Sequence, residues 1–375
     1  MEAVLLERFK DPALARELIG TIETLAQLHS GSLAEERPLR LMEVCGSHTV
    51  AIAKSGIASV LPHNIQLISG PGCPVCVTAG RDVDRIIALT KIPNVTLTTF
   101  GDMLRVPGST SSLQQQKAHG AHVEVVYSPL DALALAAQDP SGHYVFVGVG
   151  FETTTPLVAA TIQRAAARGL DNFTVLAVHK QVPPALNALA VDDELALDGL
   201  ILPGHVSTIL GVEPFVILAE HYGIPAVICG FEPVDILLAI NMLLVQITRG
   251  QAQIEIAYSR AVNPEGNPTA RCTLSEVFDV CDASWRGLGF IPNSGHCINA
   301  EYAAFDAGRR FDVDALTEPT VEPKGCRCGS VLRGALRPSD CPLFGKPCTP
   351  ANPIGPCMVS SEGSCAASYS YQLVG

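Results

Sequence analysis

The segment that decides the fold is residues 144–155, YVFVGVGFETTT, which passes from an uninterrupted apolar run into a glycine-rich polar stretch. A strand that is apolar at every position is buried on both faces, and such strands belong to parallel sheets that helices cover. Pro156 suits the first turn of a helix, and residues 156–168 carry a helical pattern. This strand–loop–helix unit predicts an α/β protein.

The same alternation recurs through the first two-thirds of the chain. Predicted strands lie at residues 40–44, 65–69, 95–100, 123–127, 144–149, 174–178, 199–202 and 226–229. Helical patterns lie between them at residues 82–90, 130–137, 156–168 and 234–249. In chain order the strands make two groups of four, so we expect two similar parallel-sheet α/β lobes around a cleft.

The last third of the chain has a different composition. Regular alternation fades from about residue 251, and Cys, Gly and Pro dominate from residue 322 onward. A segment with so little apolar periodicity cannot build a large core, so it needs a cross-link to stabilise it, which a metal centre would provide. We predict an N-terminal helical segment (1–34), lobe I (35–140), lobe II (141–255) and an irregular C-terminal iron–sulfur domain (256–375), with packing free to make the lobes discontinuous.

Composition argues against several classes of protein. The chain has 375 residues, with 37 acidic and 25 basic side chains and a formal charge of −12. Nucleic acid is not an expected partner, because phosphate binding needs a basic stripe. No apolar run reaches the ~20 residues that cross a bilayer, and the N-terminal residues lack a signal-peptide core, so we expect no membrane and a cytoplasmic location. In a reducing cytosol, thirteen cysteines indicate metal or redox chemistry.

Polar segments follow four of the predicted strands. They are CGSH (45–48), GPGCPVC (70–76), GFETTT (150–155) and PGHVS (203–207). In open α/β sheets, ligands bind beyond the carboxyl ends of the strands. We therefore expect these segments to line one shared cleft between the lobes.

Cys73 and Cys76 form the sharpest single motif, a C-x-x-C between a predicted strand and a helix that starts near Gly80. The start of a helix lowers a thiol pKa and favours the thiolate, which is both a nucleophile and a soft-metal ligand. Half of a structural zinc site is the alternative, although the sequence has no second C-x-x-C nearby to complete it. A redox pair and a metal-ligand pair both remain open.

Cys45 and His48 form a C-x-x-H at another predicted strand end. In a parallel sheet this end lies beside the Cys73/Cys76 loop, and three sulfurs with one imidazole suit Fe(II) as well as zinc. The alternative is an ordinary buried cysteine, since cysteine is among the commonest core residues.

Glu152 follows the apolar strand at residues 144–149, where a carboxyl group can bind a small ligand or donate a proton. The alternative is a solvated carboxylate beside a helix N-cap. Three other polar residues stand at strand ends with the same ambiguity, namely Asp102, His179 and His205.

Six cysteines lie close together in the C-terminal tail, which we define as residues 322–375. They are Cys326, Cys328, Cys341, Cys348, Cys357 and Cys365. Four thiolates on a turn-rich chain are the ligands of a [4Fe–4S] cluster. A zinc site with four cysteines is the alternative, although such sites are usually built from closely spaced pairs. The other unassigned cysteines are isolated in sequence and are predicted to be core or surface thiols, namely Cys229, Cys272, Cys281 and Cys297.

Five parts of the chain are distinctive in combination. They are EVCGSHT (43–49), GPGCPVCVT (70–78), GFETT (150–154), PGHVS (203–207) and the tail segments CPLFGKPCTP (341–350) and GPCMVSSEG (355–363). Together they resemble the HypD family of [NiFe]-hydrogenase maturation factors, over about residues 40–371. One departure is Ala79, where the family pattern has proline, and it leaves the thiols untouched.

The resemblance implies a scaffold that assembles the Fe(CN)2CO unit of the hydrogenase active site. Its implied partners are a HypC-type chaperone, which contributes a cysteine ligand, and a HypE-type protein, which delivers cyanide. The hydrogenase large subunit is served indirectly. Cys45 would then be a ligand of Fe(II) carrying CN and CO, and Cys73 and Cys76 would be a redox-active pair at the same iron.

The resemblance also implies where other site residues lie and which cysteines bind the cluster. Glu152 and His205 belong to the family's cleft, where we also expect His48. The implied cluster ligands have fourteen, six and sixteen residues between them, and they are Cys326, Cys341, Cys348 and Cys365, with Cys328 and Cys357 in reserve. The surroundings of the cluster are similar to those in ferredoxin:thioredoxin reductase.

Two other functions remain open. An iron–sulfur protein-disulfide reductase would use Cys73 and Cys76 catalytically, with multiple turnovers on a disulfide substrate. A zinc-stapled interaction protein would contain zinc and show no brown absorbance. Nucleotide chemistry is not supported, since the sequence has no GxxxxGK[ST], GxGxxG or GxSxG motif.

Overall fold

Two parallel sheets form the centre of the structure, a computed structural model that describes residues 11–30, 37–192 and 194–372. The strands are β1 (Leu39–Glu43), β2 (Ile65–Ser69), β3 (Val95–Thr99), β4 (Val123–Val125), β5 (His143–Gly148), β6 (Phe173–Ala177), β7 (Gly199–Pro203), β8 (Ala226–Cys229), β9 (Ile254–Ile256), β10 (Phe278–Trp285) and β11 (Gly289–Ile298). The first sheet has the order β2–β1–β7–β8–β9 and the second has the order β4–β3–β5–β6. The predicted α/β class is confirmed.

Helices connect most of the parallel strands. They are α1 (Pro12–Ser30), α2 (Gly46–Ser55), α3 (Ile57–Val60), α4 (Pro74–Val77), α5 (Gly80–Leu89), α6 (Leu113–Ala118), α7 (Pro129–Gln138), α8 (Thr155–Ala167), α9 (Val182–Ala190), α10 (Gly204–Leu210), α11 (Val216–Glu220), α12 (Pro233–Thr248), α13 (Pro268–Val277), α14 (Ala307–Arg310), α15 (Cys328–Leu332) and α16 (Ser364–Gln372). Short 3-10 turns lie at Gly101–Arg105, Glu213–Phe215, Ala303–Phe305, Pro338–Asp340 and Pro356–Met358. The four predicted helical patterns correspond to α5, α7, α8 and α12.

The two sheets do not divide the strands in chain order. β1 and β2 pair with β7, β8 and β9, whereas β3 to β6 form the second sheet. β1 and β7 run side by side, with Leu41 opposite Gly199 and Glu43 opposite Ile201. The expectation that the strands group in chain order, four in each lobe, is therefore wrong. The first sheet takes its strands from two separate parts of the chain, which the domain prediction had allowed. The apolar pattern of a strand predicts its burial on both faces, but it does not specify the neighbouring strand.

Each face of the first sheet packs against a different part of the chain. On one face, Leu41 and Ile201 are buried in a cluster with Ile22 of α1 and with Ile236 and Leu243 of α12. These two helices contact each other extensively. The helical pattern predicted at residues 234–249 is therefore a helix that covers this sheet.

The tail packs on the other face of the first sheet and has little core of its own. Met42 and Leu200 share one apolar cluster with Cys328, Leu332 and Met358 of the tail. At the same end of the sheet, α16 packs against α2. The part of the tail from α15 onward is thus held by the first sheet.

The C-terminal region also contains an element that the sequence did not predict. β10 and β11 form an antiparallel hairpin in which Phe278 lies opposite Ile298. Only the ends of β10 are buried, so its apolar alternation is weak. Trp285 at one end is buried, stacks on Phe151 at a ring-centroid distance of 5.9 Å and pairs through its backbone with Thr78. The hairpin therefore joins the two sheets next to the C-x-x-C loop.

The predicted amphipathic helix at the N-terminus is present as α1 from Pro12 onward. The first ten residues of that prediction lie outside the described part of the chain. Among the helices that the structure describes, none is both long and apolar enough to cross a membrane.

Candidate functional site

Three of the four predicted polar segments meet at the carboxyl edge of the first sheet. Cys45 follows β1, Cys73 lies beyond β2, and His205 lies in the first turn after β7. Because the strand order is β2–β1–β7, these strand ends are neighbours. The crevice at a strand where the order of connection reverses is the usual ligand site of an open α/β sheet, and β1 is that strand here.

The two thiol-bearing loops are in direct backbone contact. Gly46 donates a backbone hydrogen bond to the carbonyl oxygen of Gly72 at 3.0 Å. A side chain at Gly72 would have its Cβ only 2.3 Å from the backbone nitrogen of Cys45, so only glycine allows this approach. The predicted proximity of Cys45 to the C-x-x-C loop is thus present in the structure.

Cys73 and Cys76 form a disulfide in the structure, with their Cα atoms 5.2 Å apart. Cys73 is the N-cap of α4, its sulfur accepts a hydrogen bond from the backbone nitrogen of Cys76 at 3.2 Å, and Pro74 begins the helix. Both residues are buried, with exposed fractions of 3% and 0%, against 9% for Cys45. Cys45 is therefore the most exposed of the three cysteines.

Opposing effects act on the pKa of the Cys45 thiol. Burial raises the pKa of its thiol to about 12, and the nearby carboxylates of Glu362 and Glu43 also favour the protonated form. Backbone N–H groups of Ser47 and His48, at the start of α2, hydrogen-bond the sulfur and favour the thiolate. Burial prevails over the helix start, so the thiol holds its proton at neutral pH.

Glu43 is a site residue that the sequence analysis did not assign. It is buried, accepts a hydrogen bond from the backbone nitrogen of Cys45 at 3.1 Å and another from the Thr49 hydroxyl at 2.5 Å. Burial raises the pKa of this carboxyl to about 8. The available signal was a single acidic residue at the end of an apolar strand.

Glu362 is the second residue that the sequence analysis did not assign. It arrives from the tail, accepts a hydrogen bond from the Ser47 hydroxyl at 2.8 Å and lies against Gly46. Glu362 and Ser47 are 315 positions apart in the sequence, so no local spacing predicts the contact.

His48 and His205 both stack on Phe231, at ring-centroid distances of 4.8 and 3.9 Å. Nε2 of His48 donates to the carbonyl oxygens of Gly230 at 2.9 Å and Cys229 at 3.3 Å. Its Nδ1 is buried without a hydrogen-bond partner in the described part of the chain. Burial lowers the pKa of His48 to about 4 and also lowers that of His205, against the opposing effect of the Glu362 charge. Both imidazoles are therefore neutral at pH 7.

Glu152 lies apart from this group, beyond β5 of the second sheet. Its Oε1 accepts a hydrogen bond from the backbone nitrogen of Val182 at 2.9 Å, while Oε2 is buried with no partner in the described residues. Burial raises the pKa of this carboxyl to about 7. The alternative of a solvated carboxylate is wrong, because only 1% of the residue is exposed. Glu152 is connected to the C-x-x-C loop indirectly. Its neighbour Phe151 stacks on Trp285, and Trp285 pairs through its backbone with Thr78, just after that loop.

The tail cysteines are gathered around one small cavity. Its walls are apolar and sulfur-bearing, and the cysteines that line it are Cys326, Cys328, Cys341, Cys348, Cys357 and Cys365. A side chain at Gly355 would have its Cβ 2.7 Å from the sulfur of Cys326, so the backbone approaches the thiols closely here. The sequence prediction that these thiols converge agrees with this arrangement.

Cys328 and Cys357 stand out within the tail group because their sulfurs are 2.6 Å apart. The pKa of Cys328 is lowered because it accepts hydrogen bonds from the thiols of Cys326 and Cys357. This cavity adjoins the C-x-x-C loop, since the sulfur of Cys76 lies 3.8 Å from the carbonyl oxygen of Pro356.

Neither group is a ready-made site for a single metal ion. Within residues 11–30, 37–192 and 194–372, no three His, Cys, Asp or Glu side chains are arranged to hold one ion. At the sheet edge, two of the three sulfurs are occupied by the disulfide. A metal ion at Cys45 therefore needs either the reduced Cys73/Cys76 pair or ligands from another molecule.

The fold and the site define an α/β protein that gathers its reactive thiols at one edge of a parallel sheet. The model of the HypD family, described as "Hydrogenase formation hypA family", matches residues 14–372. The hydrogenase maturation factor HypD of Rhodobacter capsulatus is 46% identical over 366 residues, which cover 97% of both chains. That of Azotobacter vinelandii is 46% identical over 98% of this chain and 96% of its own.

The similarity extends to an archaeon. A hydrogenase expression/formation protein of Methanocaldococcus jannaschii is 43% identical, over 97% of this chain and 99% of its own. The chain belongs to the HypD family of hydrogenase maturation factors.

Replacing Gly72 by alanine tests the contact between the two thiol loops. Because the new Cβ would lie 2.3 Å from Cys45, we expect Gly72→Ala to lower the free energy of unfolding by about 1–3 kcal/mol, as overpacking does. The measurement is urea unfolding followed by the fluorescence of Trp285. Gly20→Ala is the control, since nothing lies within 4 Å of that position. Equal stability of Gly72→Ala and the wild type would show that the loops do not touch.

Replacing Glu152 by glutamine tests its burial through the pH dependence of stability. The ordinary pKa of 4.5 rises to about 7 in the folded chain, so between these values the folded state holds a proton that the unfolded state has lost. Stability therefore falls as pH rises through this window, by about 3 kcal/mol for this group.

Urea unfolding at pH 5 and pH 8 checks this prediction. Glu152→Gln should lose less stability than the wild type between the two values, while Glu301→Gln, at an exposed position, should follow the wild type. The buried Glu43 is common to all three proteins. Parallel pH profiles for Glu152→Gln and the wild type would contradict the prediction.

Proposed function

We propose that this chain is the scaffold on which the Fe(CN)2CO unit of [NiFe]-hydrogenase is assembled, with Fe(II) and its diatomic ligands as cargo. The observation that carries the proposal is the backbone contact of Cys45 with the Cys73/Cys76 loop at the switch point of the first sheet. Membership of the HypD family and the names of the relatives support a role in hydrogenase maturation.

Cys45 is the residue that we assign as the iron ligand. It is the most exposed of the three cysteines at the edge, and two backbone N–H groups favour its thiolate. Since the pKa of the free thiol is raised to about 12, iron loading releases a proton and is favoured by rising pH. Cyanide and CO are strong-field ligands, which keep iron low-spin while thiolates hold it.

Further ligands have two sources in this proposal. Opening the disulfide frees Cys73 and Cys76 beside Cys45, and a HypC-type chaperone contributes a cysteine of its own. An open groove of about 810 Å³ lies next to the site and includes Ser47, Phe231 and Glu362 in its lining. We assign this groove to the arriving partner segment, and a HypE-type protein delivers cyanide at the same edge.

The tail cavity fits a [4Fe–4S] cluster by the chemistry of its donors. Its lining is limited to thiols and apolar groups, which is the donor set and the dry surrounding of such clusters. We assign the ligands as Cys326, Cys341, Cys348 and Cys365, because Cys328 and Cys357 are close enough to pair with each other. When bound, the cluster supplies one-electron transfer.

The thiol pair at Cys73 and Cys76 is then the redox element of the scaffold. Reducing its disulfide takes two electrons and two protons and yields the two thiols that iron requires. The nearby Cys328/Cys357 pair is placed to act as a second dithiol, since the carbonyl of Pro356 links the two regions.

The same disulfide favours a second candidate function, an iron–sulfur protein-disulfide reductase. The two candidates differ in stoichiometry. A scaffold forms a complex with its partners that holds one Fe(CN)2CO unit per chain, whereas a reductase turns over many equivalents of a protein disulfide.

Replacing Cys45 by alanine tests the iron ligand. We expect Cys45→Ala to lose the infrared bands of bound cyanide and CO in the chain purified anaerobically with its partners, and to keep the brown absorbance of the tail. Cys229→Ala is the matched control, because that buried thiol lies near Cys45 but is 0% exposed. Cyano-iron bands retained in Cys45→Ala would rule out the assignment.

Replacing Cys348 by alanine tests the cluster ligands. We expect Cys348→Ala to bleach the absorbance, to lower the iron content and to make the tail easier to unfold, because the tail has little core of its own. Cys272→Ala, which removes an exposed thiol on α13, should leave all three quantities unchanged. A Cys348→Ala protein with the iron content and melting profile of the wild type would count against this ligand set.

A further inference from the structure

A second cavity lies on the side of the second sheet, away from the Cys45 edge. It has a volume of about 460 Å³, within the range of small-molecule sites, and it lies between α5, the end of β6 and the β10–β11 hairpin. Two of its lining residues are Cys281 and Cys297, which the sequence analysis left as isolated thiols.

The hairpin brings these two thiols together. Cys281 lies opposite Gly295, and Cys297 lies opposite Asp279, so both cysteines are on the same face at diagonal positions. Gly295 has no side chain to separate them, and a Cβ there would lie 3.4 Å from the sulfur of Cys281. The two thiols are close enough for Cys297 to raise the pKa of Cys281. The sulfur of Cys297 also lies 3.7 Å from the carbonyl oxygen of Asp279.

We propose that Cys281 and Cys297 form a reversible dithiol–disulfide site, which reacts with the disulfide of a small thiol that enters this cavity. Both cysteines are partly exposed, so they are reachable from the cavity. The proposal is independent of the function proposed for Cys45 and the tail cysteines.

The cavity offers groups that suit a polar, peptide-like ligand. His179 and His296 are buried in its wall, and no ring nitrogen of either residue has a hydrogen-bond partner in the described part of the chain. Burial lowers their pKa values to about 3 and about 4, so both imidazoles are neutral. Unpaired buried polar groups need an explanation, and N–H and carbonyl groups of a bound ligand would supply partners for the acceptor nitrogen and the N–H of each ring.

The two cysteines have different roles. Burial raises the pKa of Cys281 to about 12, with a further contribution from the neighbouring Cys297 thiol, so Cys281 holds its proton at neutral pH. The ammonium group of Lys180, which is ion-paired with Asp82 at 3.0 Å, partly opposes this rise in the pKa of Cys281. The contact of the Cys297 sulfur with the Asp279 carbonyl is exposed, so we assign Cys297 as the attacking sulfur and Cys281 as the resolving one.

The reaction is a thiol–disulfide exchange in two steps. The Cys297 thiolate attacks one sulfur of the small disulfide, and the other half leaves as a thiolate that takes up a proton. Cys281 then loses its proton and attacks the Cys297 sulfur, which releases the second small thiol. Two electrons and two protons pass from the cysteines to the small disulfide, which becomes two thiols.

The crosslink would act on the part of the hairpin nearest the C-x-x-C loop. The ladder is irregular between Cys281 and Ala283, and Trp285 follows at the end that pairs with Thr78. A disulfide at Cys281 fixes the hairpin immediately before this irregularity. The state of the pair therefore constrains how freely the Trp285 end moves.

Incubation of the full chain with glutathione disulfide tests the proposal, followed by alkylation, trypsin digestion and mass spectrometry. The parent protein carries Cys272→Ser, because Cys272 shares a tryptic peptide with Cys281, between Arg271 and Arg286. Cys297 lies in the next peptide. We expect these two peptides to become joined by a disulfide, with no glutathione retained on either.

Single variants of the same parent separate the roles of the two thiols. Cys281→Ser should retain glutathione on Cys297, and Cys297→Ser should react about tenfold more slowly at Cys281. The proposal is overturned if the parent keeps both thiols free, if it retains glutathione on both cysteines without a crosslink, or if the two single variants react equally fast.

Discussion

Glu362 of the tail lies against Gly46 at the start of α2, and its carboxylate accepts a hydrogen bond of 2.8 Å from the Ser47 hydroxyl. This contact joins the C-terminal tail to the loop that carries Cys45. The tail has no long element to stabilise it, so its position depends on this contact and on the first sheet. The surroundings of Cys45 depend on it equally.

The Cys73/Cys76 loop and several of the tail cysteines belong to one apolar core. Cys73 and Cys76 share it with Cys328, Cys357 and other tail residues. In such a core the sulfurs are protected from water, and a change at one group is felt by its neighbours.

Local sequence pattern was enough for the eight strands predicted in the first two-thirds of the chain and for helices α5, α7, α8 and α12. β2 and β8 have the predicted bounds, and the apolar run before Glu152 is the buried strand β5. The pattern failed where the information is not local. It did not give the pairing of β1 with β7, the weakly alternating β10, or the contacts of Glu43 and Glu362 with the Cys45 loop.

The dependence of both thiol groups on one core is tested most directly by amide hydrogen exchange in Gly46→Ala. Its new Cβ would lie 2.5 Å from the Cβ of Glu362 and displace the tail, whereas Gly20→Ala disturbs no neighbour. With a shared core, exchange rises in the tail around Glu362 and also in the loop of Cys73 and Cys76. Faster exchange in the tail alone, or unchanged exchange in both segments, would contradict the shared core.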